Sequence, residues 1–391
     1  MSMSLESPPE LTITAWDKDY ERRGPVVGFN SASVTFVDNG PGEAVFEVDA
    51  DHLRVPDLTA PGARAVVHYA PADAWLSGTV EEVTGEGLGD VAVRTFRVRD
   101  DWAEIFQSVT GWIIPGNGIR NQGDDETSYY RLSGPAETVV KTAVSANADR
   151  LGLELTVPAT QGRGSNIEVS LRMHPLADRL YPAVDQAGIG VRVVQKNTPT
   201  RTLEVYEPVT RGTVLTEASE VVVQGSYQIQ PPTVTRVVVG CGGEAAARDF
   251  FLFVDSAAEA QWGVVRESFV DARDLGRDEY PSDAELEAAA QPRAEEALLE
   301  GAAKTGLSVE LAETEYFRFG SAFDVGDRIS VQLNGAPVLT DRVREVTVSW
   351  TPDEGLLVVP IIGDWQDSTD DQVYKIVSAA ARGVRNLRSA Y

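Results

Sequence analysis

The chain has 391 residues, is 42% hydrophobic and 24% charged, holds one cysteine, and carries a formal net charge of −26. That is a globular composition, long enough for about two to four domains with a sizeable core, and the lone Cys241 excludes an intrachain disulfide and suits assembly in a reducing cytoplasm. No apolar run approaches the ~18 residues that span a bilayer, residues 1–10 lack the basic-then-apolar layout of a signal peptide, and so acidic a surface disfavours the wrapping of nucleic acid, whose phosphates need Lys and Arg.

Residues 11–100 read as an antiparallel meander. Leu11, Ile13 and Ala15 alternate with Thr12, Thr14 and Trp16, and the same period of two runs through 33–37, 44–48 and 91–98. Gly- and Pro-rich turns at 38–42, 60–62 and 85–89 separate the runs. Residues 101–205 read as an α+β unit. One helix starts at Pro135, with Glu137 in its first turn, and carries Val139, Val140, Ala143, Val144 and Asn147 at helical spacing until Gly152. A second starts near Pro175, buries Leu176, Leu180, Val184 and Ala187, and closes at Gly188. Strands are expected at 153–157, 168–171, 190–195 and 202–207. Residues 206–365 return to β, with strands at 221–223, 233–239, 250–254 and 307–311. A helix over 282–305 interrupts them: Ser282 and Glu285 form a capping-box pattern, Pro292 is a point of bending and Gly306 a natural stop. Residues 366–391 read as an acidic linker and a C-terminal helix, with Val373, Ile376, Val377, Ala380, Val384 and Leu387 on one stripe.

The two β regions echo one another. Gly62-Ala63-Arg64 leads to Val67 and then to Val80-Glu81-Glu82-Val83; Gly326-Asp327-Arg328 leads to Val331 and then to Val343-Arg344-Glu345-Val346. Arg64 precedes Glu82 by 18 residues and Arg328 precedes Glu345 by 17. A repeat of this kind dictates architecture: two similar β units per chain would let three chains present six similar walls around an axis.

Chemistry-bearing motifs are absent. There is no HExxH, Walker A loop or GxSxG elbow. His52 lies in an acidic turn, His68 in a strand pattern and His174 at a helix start, with no metal-ligand spacing between them. Cys241, among glycines with no base nearby, reads as a small buried thiol at a strand end. Asp124, Asp125 and Glu126 lack EF-hand spacing and read as a solvated loop. Among 60 acidic residues no hydrolase pair stands out. Trp102, Trp112, Tyr129 and Tyr130 bracket the polar loop 115–123; aromatics so placed either stack on sugars or anchor a loop. No catalytic, cofactor-binding or metal-binding residue is expected, and the chain is expected not to be an enzyme.

One family joins these features. Its carriers are the opening strand ending in Trp16-Asp17-Lys18-Asp19-Tyr20, the hairpin from Gly62 to Val83, the strand ending in Arg99-Asp100-Asp101-Trp102, the Gly111-Trp112-Ile113-Ile114-Pro115 segment, Gly134-Pro135-Ala136-Glu137, and Phe319-Gly320-Ser321-Ala322-Phe323-Asp324-Val325-Gly326 with Pro360-Ile361-Ile362-Gly363. Over residues 11 to 365 the chain resembles the minor tail, or tail hub, proteins of long-tailed phages, which are related to the hub of contractile-tail baseplates and of type VI secretion spikes. The resemblance implies a mainly β fold with an α+β insertion: two tube-like antiparallel β-barrel domains per chain (1–100 and 206–365), a small α+β domain (101–205), and a linker with a C-terminal helix (366–391). It also implies a homotrimeric ring at the distal end of the tail tube, adapting a sixfold tube to a threefold tip. The implied partners are the distal tail protein, the tape measure protein and tail-tip or receptor-binding proteins, with genomic DNA only in passage and no stable membrane binding. The implied location is the virion tail tip, after assembly in the host cytoplasm. A receptor- or carbohydrate-binding tail-tip protein, with its site on loop 111–130, is the alternative.

Overall fold

The computed structural model describes residues 8–122, 129–243 and 248–363. The chain opens with β1 (Leu11–Trp16), β2 (Arg22–Val26), β3 (Ser31–Val37), β4 (Glu43–Asp49), a short helix α1 (Val55–Leu58), β5 (Arg64–Tyr69), β6 (Ala74–Glu86) and β7 (Val93–Asp100). An α+β stretch follows: β8 (Thr110–Gly111), β9 (Tyr130–Pro135), α2 (Ala136–Leu151), β10 (Leu155–Thr156), β11 (Asn166–Leu171), β12 (His174–Pro175), α3 (Leu176–Gln186), β13 (Gly190–Val194) and β14 (Arg201–Tyr206). The rest comprises β15 (Thr210–Thr216), β16 (Val222–Gln230), β17 (Arg236–Gly240), β18 (Phe250–Val254), α4 (Ser256–Trp262), β19 (Glu267–Asp271), α5 (Asp283–Glu300), β20 (Lys304–Leu311), β21 (Arg328–Gln332), β22 (Leu339–Thr351) and β23 (Gly355–Ile362). The described chain falls into two compact units, one of residues up to 225 with 308–363, the other of 226–307.

The mainly β composition with an α+β insertion holds, but the two closed β-barrels do not form. A single 13-stranded sheet runs β16-β20-β23-β22-β3-β4-β7-β6-β5-β1-β2, with β21 pairing β22 and β15 pairing β21. Its end strands, β16 and β2, do not pair with each other, so the sheet is open. Closure would require the outer strands of each meander to meet. Instead β22 takes β3 as a neighbour, in the register from Glu345↔Val37 to Trp350↔Ala32, and fuses the two meanders into one.

Alternation decides which face is core. β3 and β4 bury Ala32, Val34, Phe36, Ala44, Phe46 and Val48 and leave the intervening residues half-buried on the other face. Phe46 stacks on Phe96 of β7 with ring centroids 5.3 Å apart, and each such ring contributes about 1.5–3 kcal/mol on burial.

The sequence echo marks a repeat of strand pairing. Gly62 and Gly326 both adopt positive φ, at 74° and 90°, where a side chain would be strained. Each leads into a hairpin, β5–β6 with Arg64↔Thr79 and β21–β22 with Arg328↔Arg342. Val80 N donates to Ala63 O and Val343 N to Asp327 O, both at 2.8 Å. One residue further on, each second strand carries a bulge, between Val80 and Glu82 opposite β7 and between Val343 and Glu345 opposite β23. The order β3-β4-β7-β6-β5 is thereby matched by β16-β20-β23-β22-β21. The repeats differ at their outer strand: β1 pairs β5 antiparallel, whereas β15 pairs β21 parallel.

In the α+β stretch, α2 begins after Pro135 and ends at Gly152 in the left-handed conformation. It packs Val139, Val140, Ala143 and Val144 with Leu176, Leu180 and Val184 of α3, and with Leu171 of β11. The second unit is a three-stranded sheet, β18-β17-β19. Leu286, Ala290 and Ala294 of α5 close its core over Val237, Val239 and Cys241. The capping box of Ser282 and Glu285 forms as expected. The helix runs through Pro292 and stops at Gly301; Gly306, the expected stop, lies within β20. The helix expected on 366–391 lies outside the described residues.

Candidate functional site: two buried charge clusters

Two carboxylates sit at the heart of the first unit, one at the hairpin of each repeat. Asp101 directly follows β7 and its side chain is fully buried. It accepts hydrogen bonds from Arg64 Nη2 at 2.6 and 2.8 Å, Ser77 Oγ at 2.5 Å and Arg201 Nη1 at 3.4 Å. Arg64 Nε donates to Gln195 Oε1 at 3.1 Å, and the Gln195 backbone N donates to Ser77 Oγ at 2.7 Å. Arg201 Nη1 also reaches Glu104 at 2.9 Å. Burial works against the charge on Arg64, but Asp101 outweighs it and holds the guanidinium above its ordinary range. The cluster thereby ties β5, β6 and the end of β7 to β14 and the residue after β13.

Asp38, in the turn after β3, is the second centre. It accepts from Arg342 Nη1 at 3.0 Å, Arg344 Nη1 at 3.2 Å and Tyr206 OH at 2.7 Å. Arg344 also donates to Asp185 of α3 at 2.7 Å. Burial would raise the Asp185 carboxyl, yet Arg344 and Arg342 bring it below the usual range. Burial, with Asp38 beside it, pushes the Tyr206 phenol well up. Asn39 completes the clasp: its amide donates to Ile189 O at 3.0 Å and accepts from Val191 N at 2.7 Å.

These clusters fasten strands and helices that lie far apart in the chain. Each centre is saturated by arginine and hydroxyl donors, and no nucleophile stands beside a free base. A cleft of about 300 Å³, lined in part by Phe36, Trp75, Asp100, Tyr206 and Asp324, lies nearby. Burial pushes Asp100 up to about 7 and raises Asp324, which also feels Asp327. Both oxygens of Asp100 are nonetheless taken, by the backbone N–H of Gly42 and of Trp102, each at 3.0 Å.

The residues singled out from the sequence are scattered. Trp102 is buried and stacks on Phe106 at 4.9 Å. The guanidinium of Arg150 covers Trp112 at 3.9 Å, and Arg172 lies 5.1 Å from the ring of Tyr129. Gln122 clasps its loop by accepting from Ile114 N and donating to Ile114 O. The aromatics are thus engaged by arginines and core, not laid out as one platform. His52 bonds Val27 O, His68 stacks on Trp75 at 3.8 Å, and His174 sits 3.5 Å from Arg179. Cys241 is buried in the second unit, its thiol pushed up by burial. Among the described residues no group of three His, Cys, Asp or Glu could hold a metal; Asp124, Asp125 and Glu126 lie outside them. Sequence reasoning placed Arg64 and Arg344 in the echo, Asp101 at a strand end and Asp38 in a turn without giving any of them a role, and it missed Asp185, Arg201 and Arg342. The doublet Asp100-Asp101 just before a buried Trp is the one local signal for the clusters.

The fold has known counterparts. The structure of the 43 kDa tail protein of prophage MuSo2 from Shewanella oneidensis superposes with a TM-score of 0.55 at 10% identity, covering 90% of this chain and 98% of that one. A tail protein from Neisseria meningitidis MC58 gives a TM-score of 0.50 at 10% identity, over 91% and 97%. No curated protein matches the sequence. The model of the Siphovirus ReqiPepy6 Gp37-like proteins matches residues 12–364. The fold is that of these two tail proteins. Matched from its first strand to its last, the chain belongs to the Siphovirus ReqiPepy6 Gp37-like protein family.

Proposed function

We propose that this tail protein is a hub subunit, assembling as a homotrimeric ring at the distal end of the tail. The observation that carries the reading is the repeated strand order with its matched bulges. Two similar units per chain make six in a trimer, so one ring can face a sixfold tube on one side and a threefold tip on the other. Its neighbours would be the distal tail protein, the tape measure protein and tail-tip or receptor-binding proteins. The net charge of −26 suits a wall along which DNA slides without adhering. Assembly would take place in the host cytoplasm, where Cys241 stays reduced.

Light scattering on the purified protein tests this. A mass of three chains, alone or with a neighbouring tail protein, is the expected result. A strict monomer of 42.2 kDa under every condition would remove the reading.

A further inference from the structure

Each repeat contains a long strand that outruns its hairpin partner. In the second repeat the surplus of β22, residues 345–350, is taken up by β3, with the Thr35 and Thr347 hydroxyls 3.0 Å apart. In the first repeat the surplus of β6, residues 81–86, has β7 on one flank and, among the described residues, no strand on the other. All six of these residues are exposed. The strand standing in the place of β3 in the second repeat is β16, which ends the sheet and, among the described residues, pairs only with β20. One repeat thus lacks the strand that the other has to spare.

We propose that the surplus of β6 in one copy pairs with β16 of a second copy, repeating between chains the β22–β3 junction found within each. This rests on the ring assembly proposed above and names the contact that builds it.

The chemistry of the edges favours that occupant. β16 has no charged residue and no proline, and Val223 is 62% exposed. A long neutral edge is a template for another strand. The opposite end of the sheet is defended: β2 carries Arg22, Arg23 and Pro25. The surplus of β6 carries Glu81, Glu82 and Glu86, so two copies of it repel, whereas the neutral β16 accepts it. The two surfaces differ, so the contact is head-to-tail and generates a ring when its rotation closes.

The repeat also sets the register. Ala312 N donates to Val221 O at 2.8 Å, which places Val223 opposite Glu310. Glu310 then leads through Ile361 to Glu345, just as Ser33 leads through Val45 and Arg97 to Glu82 by way of their own partners. Val223 therefore corresponds to Ser33, and Glu86 to Ser349. Within the chain Ser33 faces Ser349, so Val223 of one copy faces Glu86 of the next.

The test is the full-length double variant Glu86→Cys/Val223→Cys, both positions being exposed and the only other thiol, Cys241, buried. Mild oxidation should link copies through a disulfide that reductant reverses, and neither single variant should link. Linkage by Val223→Cys alone would show β16 pairing with itself and overturn the proposal. No linkage in double-variant protein that light scattering shows to be assembled overturns the edge pairing while leaving the ring standing. A monomer throughout removes both. In the wild type, hydrogen exchange at 81–86 should slow on assembly, and unchanged exchange in the assembled protein counts against the pairing.

Discussion

Asp101 collects contacts from Arg64, Ser77 and Arg201, side chains that the chain order sets far apart. Asp101→Ala would leave Arg64, 4% exposed, buried without its main counter-charge, and Arg201, 2% exposed, paired with Glu104 alone. Removing one partner of a buried pair costs about 3–5 kcal/mol. Calorimetry should show a large fall in Tm, whereas Glu43→Ala, which breaks the exposed pair with Arg97, should cost no more than about 1 kcal/mol. Asp100 behaves differently. Burial raises its folded pKa to about 7 from 3.8, so folding takes up a proton between those values. Its contribution to stability is therefore greatest below about pH 4, falls as pH climbs to about 7, and levels off beyond. The slope has a ceiling of about 1.4 kcal/mol per pH unit. Denaturant titrations of wild type and Asp100→Asn across pH 4–8 should show that slope in the wild type alone. A flat wild-type profile would show that the carboxyl titrates normally. Little of this was legible in the sequence. Apart from the doublet with Asp100 before Trp102, nothing local distinguishes Asp101 among 60 acidic residues from Asp19 at the surface, because burial is decided by which strands meet.

At the scale of elements the sequence was more informative. β1 falls where period-two alternation places it, β18 on the strand expected at 250–254, and α2 between the expected Pro135 and Gly152. Such signals are local: a helix is signalled by its caps and stripe, a strand by alternation. Partners are not local. β3 and β22 are joined across some three hundred residues, and no alternation pattern in either strand names the other. The closed barrels were what the resemblance implied, and no local signal in the strands could show that an open sheet forms instead. The pairing of β6 with β7 depends on close approach at Gly78, where a Cβ would lie 1.7 Å from Arg99 O. Backbone on both sides cannot yield cheaply. Gly78→Ala should destabilise the protein by at least about 2 kcal/mol, read as a lower denaturation midpoint. Gly116→Ala, in open space, should leave the midpoint unchanged.

For the molecule as a whole, the echo of Gly62 to Val83 in Gly326 to Val346 proved to be a shared hairpin with the same bulge. It was legible because hairpin register and bulge are written in a short stretch of chain. The departures between the copies were not. Between β3 and β4 runs a turn whose Asp38 and Asn39 are buried and fully engaged. Between the equivalent β16 and β20 the chain leaves to build the second unit, with its own core of Val237, Val239 and Leu286, and then returns. One connection has become a lock and its counterpart a docking port for cargo. An engineer wishing to equip this protein with a foreign domain would splice it between β16 and β20, where the scaffold already tolerates a passenger, and would leave residues 38–42 alone.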